Sequence, residues 1–304
     1  MRLLLLALAG GAAAFAPPPQ PTAAECDALE AEGAFLPVVI SNSRGLQLHV
    51  LPYGATVQRL LVPARDGGLI DIVQGHDAPR AYCRNDYGGA GGTHPYYGAL
   101  IGRVANRIAN CSFVLNGTAF ATPCNEESAA TGRPDTLHGG PVGFDRRVWR
   151  VARAPAGDAL TLSLDSADGE MGFPSDLSIS VTYALTEPAP GAAGGFGGWD
   201  IQYRAVNVGA AATLASLTQH TYWMLSGFSG GEETVLAHVL AMPRAATFQA
   251  VDAGLIPTGE VRSVAGFMDF RSPRAVGSAF VNGSLPDGAS GCACAAPREP
   301  PGAG

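Results

Sequence analysis

Two of the six histidines sit in company that suits chemistry on a small polar ligand. His138 lies in Thr136-Leu137-His138-Gly139-Gly140, with Gly143-Phe144-Asp145 just behind it. A histidine followed by two glycines marks a turn where backbone can approach a ligand closely. His220 lies in Leu217-Thr218-Gln219-His220-Thr221-Tyr222-Trp223, a titratable nitrogen among hydroxyls and aromatic rings, surroundings that suit a sugar. Arg103 and Arg107 share the segment 101–108 (IGRVANRI), and they stand out where only 15% of residues are charged. Asp252 opens DAGLIPTGE. Each has a plain structural alternative. A histidine can cap a turn or be satisfied in the core, an arginine can pair with a carboxylate, and an aspartate can cap a Pro-Thr-Gly turn. His49, His76, His94 and His238 lack such neighbours and read as structural.

These residues must be positioned by strands. Leu46, Leu48 and Val50 alternate with polar neighbours, as do Leu160, Leu162 and Leu164, then Leu177, Ile179, Val181 and Tyr183, then Ile201 and Tyr203. A period of two means one buried face and one exposed face, the pattern of antiparallel sheets. Glycine and proline punctuate the runs, with 40 and 23 copies, and the stretch 187–198 is a loop insertion. No amphipathic helix of a dozen residues is evident. The expectation is an all-β chain folded as an antiparallel β-sandwich.

Of 304 residues, 47% are hydrophobic, enough for one large core over 34–280. All 19 basic residues are arginine, and 26 acids give a net charge of −7. Dispersed negative charge argues against a nucleic-acid partner, which would call for a basic stripe. No internal stretch reaches the length of an apolar membrane span, so no membrane partner is expected for the mature form. Residues 1–16 read as a secretory signal peptide or leader, with a plastid bipartite leader as the alternative destination. Residues 17–33 read as a linker, and 281–304 as a disordered tail rich in Gly, Pro and Ala. Sequons at Asn110, Asn116 and Asn282 agree with a secretory, extracellular route. The cysteines show no paired metal-ligand spacing. A Cys111–Cys124 disulfide is open to them, and free thiols are expected for most.

Five ordered segments together resemble one family, the aldose 1-epimerases or galactose mutarotases. They are GRVANRI, TLHGGPVGFDRRVW, GEMGFPSDLSISVTYAL, LTQHTYWML and DAGLIPTGEV, and the likeness extends from about Phe35 to Arg274. It implies a galactose mutarotase-like supersandwich that interconverts the α and β anomers of free hexoses such as glucose and galactose, with neither cofactor nor metal. It implies catalytic roles for His220, which would protonate the ring oxygen, and for His138, a sugar contact and electrostatic aid. Asn106, Arg107, Thr221, Tyr222 and Asp252 would bind substrate. An imidazole acid needs a pKa near or above neutrality, and Asp252 is the carboxylate expected to raise that of His220. Gln219 and Trp223 stand where the family usually has Asn and Phe. The family's general base, a Glu in an ETQ-like motif toward the C-terminus, has no counterpart here. Glu126, Glu127, Glu170 and Glu260 lie in other motifs, and Glu299 lies in the tail. The chain therefore reads as a C-terminally truncated member with impaired activity, with a non-catalytic sugar-binding protein of the same fold as the alternative. Oligomeric state is not legible.

Overall fold

The computed structural model describes residues 21–84, 95–153, 157–189, 195–228 and 235–279. Chain order begins with helix α1 (Ala23–Ala31), strands β1 (Val38–Ser41), β2 (Gln47–Leu51), β3 (Thr56–Pro63) and β4 (Leu69–Asp71), and the single turn α2 (Ala81–Arg84). Short strands follow: β5 (Leu100–Ile101), β6 (Arg107–Ala109), β7 (Ser112–Leu115), β8 (Thr118–Ala121), β9 (Glu126–Glu127) and β10 (Pro134–Leu137). The longest strands come next, namely β11 (Arg150–Arg153), β12 (Ala159–Ser166), β13 (Leu177–Thr186) and β14 (Gly198–Asn207). The last are β15 (Thr218–Gln219), β16 (Val239–Leu240), β17 (Thr247–Val251), β18 (Pro257–Ser263) and β19 (Arg274–Ala275).

Two antiparallel four-stranded sheets carry the core, β1-β2-β3-β4 and β11-β12-β13-β14. The alternation read from the sequence is the alternation of burial. Leu160, Leu162 and Leu164 are buried while Thr161 and Ser163 are half-buried, and Leu177, Ile179, Val181 and Tyr183 repeat the pattern on β13. They meet Ile40, Leu48, Val50 and Val57 of the first sheet in one apolar cluster that includes Trp149. Each such side chain withdrawn from water stabilises by roughly 1.5–3 kcal/mol. The Tyr183 hydroxyl donates to the Ala55 carbonyl at 2.9 Å, so a polar tie crosses the same core. This is the antiparallel β-sandwich expected.

Two expectations are corrected. The stretch 17–33, read as a linker, contains α1. Thr22 Oγ1 accepts the Glu25 N–H at 3.2 Å and Glu25 Oε2 accepts the Thr22 N–H at 2.7 Å, a reciprocal capping box that satisfies the first turn. The expectation of mostly free thiols also fails, since Cys26 bonds to Cys83 and Cys111 to Cys124. Cys26–Cys83 fastens α1 to α2, and both sulfurs are buried with Phe35, Leu51, Tyr53 and Tyr82 in a second apolar cluster. Residues 1–16, the whole of the expected tail 281–304, His94 and Asn282 lie outside the described residues.

Candidate functional site

The site is assembled by the joins between small sheets. Strand β15 pairs antiparallel with β5, Thr218 opposite Ile101 and Gln219 opposite Leu100. The ladder continues past the strand end: the His220 N–H donates to the Ala99 carbonyl at 2.9 Å, and the Gly98 N–H donates to the His220 carbonyl at 3.1 Å. His220 is thus held from both sides of its backbone. Strand β6 pairs with β10, Arg107 opposite Leu137, which brings the GRVANRI and LHGG segments together. One residue further on, His138 and Asn106 exchange two hydrogen bonds. The His138 N–H donates to the Asn106 carbonyl and the Asn106 N–H donates to His138 Nδ1, each at 3.0 Å. The double glycine is required by this join. Gly139 has φ 88°, and any Cβ there would run into the Gly102 carbonyl.

The result is an open cleft of about 530 Å³ lined by Tyr96, Asn106, Arg107, His138, Gln219, His220, Thr221 and Tyr222, among others. The two imidazoles lie 5.1 Å apart, centre to centre, at 83°. Tyr96 touches both, 4.6 Å from His138 and 5.7 Å from His220, and Tyr222 lies 5.1 Å from His220 on another side. The Thr221 hydroxyl is buried in the wall and has no hydrogen-bond partner among the described residues. A buried hydroxyl left unsatisfied in a cleft is poised for a ligand's polar group.

Burial in the cleft wall favours the neutral form of both rings. Burial first, then the nearby His220 and Arg107, push His138 down to about 3. Its Nδ1 accepts from backbone, so the neutral ring carries its hydrogen on Nε2. Burial also lowers His220 below the usual histidine range. Both rings are therefore neutral at neutral pH. Arg107 is clamped by Glu126, with Nε–Oε2 and Nη2–Oε1 both at 2.6 Å. This paired geometry fixes the guanidinium in the cleft wall.

Six of the residues singled out from the sequence, Asn106, Arg107, His138, His220, Thr221 and Tyr222, line this one cleft. Asp252 does not. It follows β17 in a turn where its Oδ1 accepts the N–H groups of Gly254 at 2.8 Å and Ile256 at 2.9 Å, while Oδ2 accepts Arg133 Nη1 at 3.0 Å. Arg133 is the main reason its carboxyl is held below the usual range. A carboxylate saturated by three donors is the turn cap of the plain structural reading. It is not what sets His220, whose pKa moves down and not up. Arg103 is likewise structural, though without a carboxylate. It is buried and donates to Ser166 Oγ and to the carbonyls of Ser166, Ala167 and Pro174 at 2.8–2.9 Å, and to Thr213 Oγ1 at 3.0 Å. Tyr96 escaped the sequence reading. The only local signal is its place beside Tyr97-Gly98, just before the GRVANRI segment.

Comparison with known proteins identifies the family. A family model described as aldose 1-epimerase matches residues 37–285. A probable aldose 1-epimerase of Arthroderma benhamiae is 34% identical over 258 residues, covering 80% of this chain and 53% of the relative. Human galactose mutarotase is 34% identical over 233 residues, 76% of this chain and 59% of the relative. The aldose 1-epimerase of Escherichia coli is 32% identical over 246 residues, 80% and 62%. Among solved structures, an aldose epimerase homologue from C. elegans superposes with a TM-score of 0.65 at 30% identity, covering 80% of this chain and 66% of that one. The chain thus spans between about half and three fifths of the length of these curated relatives. Matched over most of its own length by family model, relatives and fold, the chain belongs to the aldose 1-epimerase family.

Proposed function

We propose that the cleft binds a free hexose and promotes interconversion of its α and β anomers. The observation that carries this reading is the pair of imidazoles 5.1 Å apart in one open cleft with Arg107 fixed beside them. A pyranose opens when the proton on its C1 hydroxyl leaves and the ring oxygen receives one. The C1–O5 bond breaks, the aldehyde turns about C1–C2, and the ring closes on its other face. His220 is the group that gives the ring oxygen its proton, water entering the open cleft takes the proton from the C1 hydroxyl, and the Nε2–H of His138 donates a hydrogen bond to a sugar oxygen. Asn106, Arg107, Thr221 and Tyr222 hold the hydroxyls, and Tyr96 gives an apolar wall.

Two features temper the rate. The lowered pKa of His220 means that few molecules carry the acidic proton at neutral pH. Turnover should therefore rise as the pH falls through neutrality. Among the described residues no carboxylate lines the cleft, and Glu126 is committed to Arg107. A missing proton-transfer group costs about 10²–10⁴-fold, or ~3–5 kcal/mol of barrier. Slow turnover is the expectation for this chain. The test is polarimetric, following freshly dissolved α-glucose or α-galactose against buffer. Acceleration that His220→Gln removes is expected; acceleration unchanged by that substitution would sink the assignment. The two disulfides further support a secretory route, because such bonds persist in oxidising compartments.

A further inference from the structure

Among the described residues, strand β14 is an unusually open edge. The other outer strands of the two main sheets, β1, β4 and β11, have 4, 3 and 4 residues, whereas β14 has 10. One edge of β14 pairs with β13 along its whole length, from Leu177 opposite Asn207 to Thr186 opposite Gly198. Among the described residues no strand pairs with the other edge. Its outward N–H and C=O groups are a template for a further strand. Two of the devices that usually blunt such an edge are missing, for β14 contains no proline and no bulge in its register. It carries two charges of opposite sign, Asp200 and Arg204. Both are exposed, and neither has an ion pair or side-chain hydrogen bond among the described residues. Four positions apart on a strand, they share one face about 13 Å from each other, too far to pair within the strand.

We infer that β14 pairs antiparallel with β14 of a second copy of this chain, about a two-fold axis through Gln202. That register sets Gln202 opposite Gln202, Asp200 opposite Arg204, Ile201 opposite Tyr203 and Trp199 opposite Ala205, each unlike pair occurring twice. Both unpaired charges then meet their opposites, and an aliphatic side chain meets an aromatic ring, the pair types that favour strand association. Centring the axis on Ile201 would set Asp200 against Gln202. Centring it on Tyr203 would set Arg204 against Gln202. Either shift loses both charge pairs, so the sequence selects one register. A self-complementary patch is the requirement for a closed two-fold dimer. Trp199 and Ile201 already pack on the core cluster, so the joined sheets share a continuous apolar face. The inference does not depend on the sugar chemistry.

Sedimentation analysis of the full chain at low salt tests it, over a wide range of concentration. Monomer and dimer should interconvert. D200R and R204D should each weaken the dimer roughly tenfold or more, because each sets two like-charged pairs face to face. An equimolar mixture of D200R with R204D should associate again, and so should the double variant D200R/R204D. Both positions are exposed, and circular dichroism checks that the variants fold. A chain that stays monomeric at every concentration, a dimer indifferent to both reversals, or a loss that neither mixing nor the double swap repairs would each overturn the inference.

Discussion

The stretch 38–186 and the stretch 239–275 are both built from antiparallel strands, yet they differ in what the strands cover. In the first, β12 and β13 bury every second side chain. In the second, all seven residues of β18 and both of β16 are exposed, and the strands pair only in twos. Pairing alone makes a ribbon; a buried face makes a platform that fixes side chains in space. Asn106, Arg107 and His138 sit on joins tied directly to the first region. His220, Thr221 and Tyr222 reach it through β15 and β5. Asp252 sits on a ribbon of the second region, and its carboxylate answers to its own turn and to Arg133. The difference between the regions accounts for which residues the cleft gathers.

The sharpest way to break this contrast is to attack the platform. Arg103→Ala would leave the carbonyls of Ser166, Ala167 and Pro174 and the Ser166 hydroxyl without their donor. Each orphaned buried group costs about 1–3 kcal/mol, so a loss on the order of 4 kcal/mol or more is expected in urea unfolding. Leu162→Ala should cost about 2–5 kcal/mol through the cavity it leaves. Val261→Ala on the exposed ribbon should stay within ~0.5 kcal/mol. Equal losses at Leu162 and Val261 would erase the distinction between the regions.

The disulfides come next. Cys26–Cys83 closes a loop with a sequence separation of 57, and Cys111–Cys124 one of 13. By loop-closure entropy their removal should cost about 4 and about 3 kcal/mol respectively. Serine replacements of each pair, compared by thermal unfolding, should keep that order. The reverse order would mean that α1 contributes little to the platform despite its buried sulfur.

The pH dependence of stability probes the cleft itself. His138 is held at about 3 when folded, against about 6.5 for a free histidine. Below 6.5 the unfolded chain takes up a proton that the folded chain refuses, so stability falls as the pH drops from about 6.5 toward 3. The limit is ~1.4 kcal/mol for each pH unit. His220, also lowered, acts in the same direction. Asp145 acts in the opposite one. Its burial raises it to about 6, so between about 6 and 3.8 the folded form keeps a proton that the unfolded form releases. Comparing the native chain with His138→Gln isolates the histidine. The variant should lose less stability on acidification through this window, and identical slopes would show that His138 is freely protonated when folded.

Much of this was legible in the sequence, and the parts that were not share a cause. Alternation at Leu160, Leu162 and Leu164 announces a strand because burial there follows the chain's own period. The short motifs around His138 and His220 announce a site because their neighbours are adjacent in sequence. The Cys26–Cys83 bond was not legible, since partners 57 positions apart are matched only by the folded path. Helix α1 carried its signature in Thr22-Ala23-Ala24-Glu25, but a nine-residue helix with one buried side chain has almost no apolar stripe to read. Tyr96 matters through ring contacts with two histidines that lie 42 and 124 positions away, which no local spacing encodes. Asp252 was given to the site by resemblance, whereas its own neighbours, Gly254 and Ile256, describe a capped turn.

The smallest effect expected is therefore the most informative one, at Asp252. Asp252→Asn keeps an oxygen to accept from Gly254 and Ile256, so the turn survives. It removes the charge facing Arg133, but Asp252 is half exposed and Arg133 keeps Asp135 at 2.9 Å. Stability should hardly change, because solvent-exposed ion pairs add little. Hexose affinity, followed by titration into the folded variant, should also match the native chain, since among the described residues Asp252 bonds to Arg133 and its own turn and does not line the cleft. The same titration with Arg107→Ala should show a clear loss, which proves the assay sensitive. A tenfold weakening in the Asp252 variant would mean that the outer ribbon swings onto the sugar when it binds. The boundary between platform and ribbon would then belong to the free protein alone.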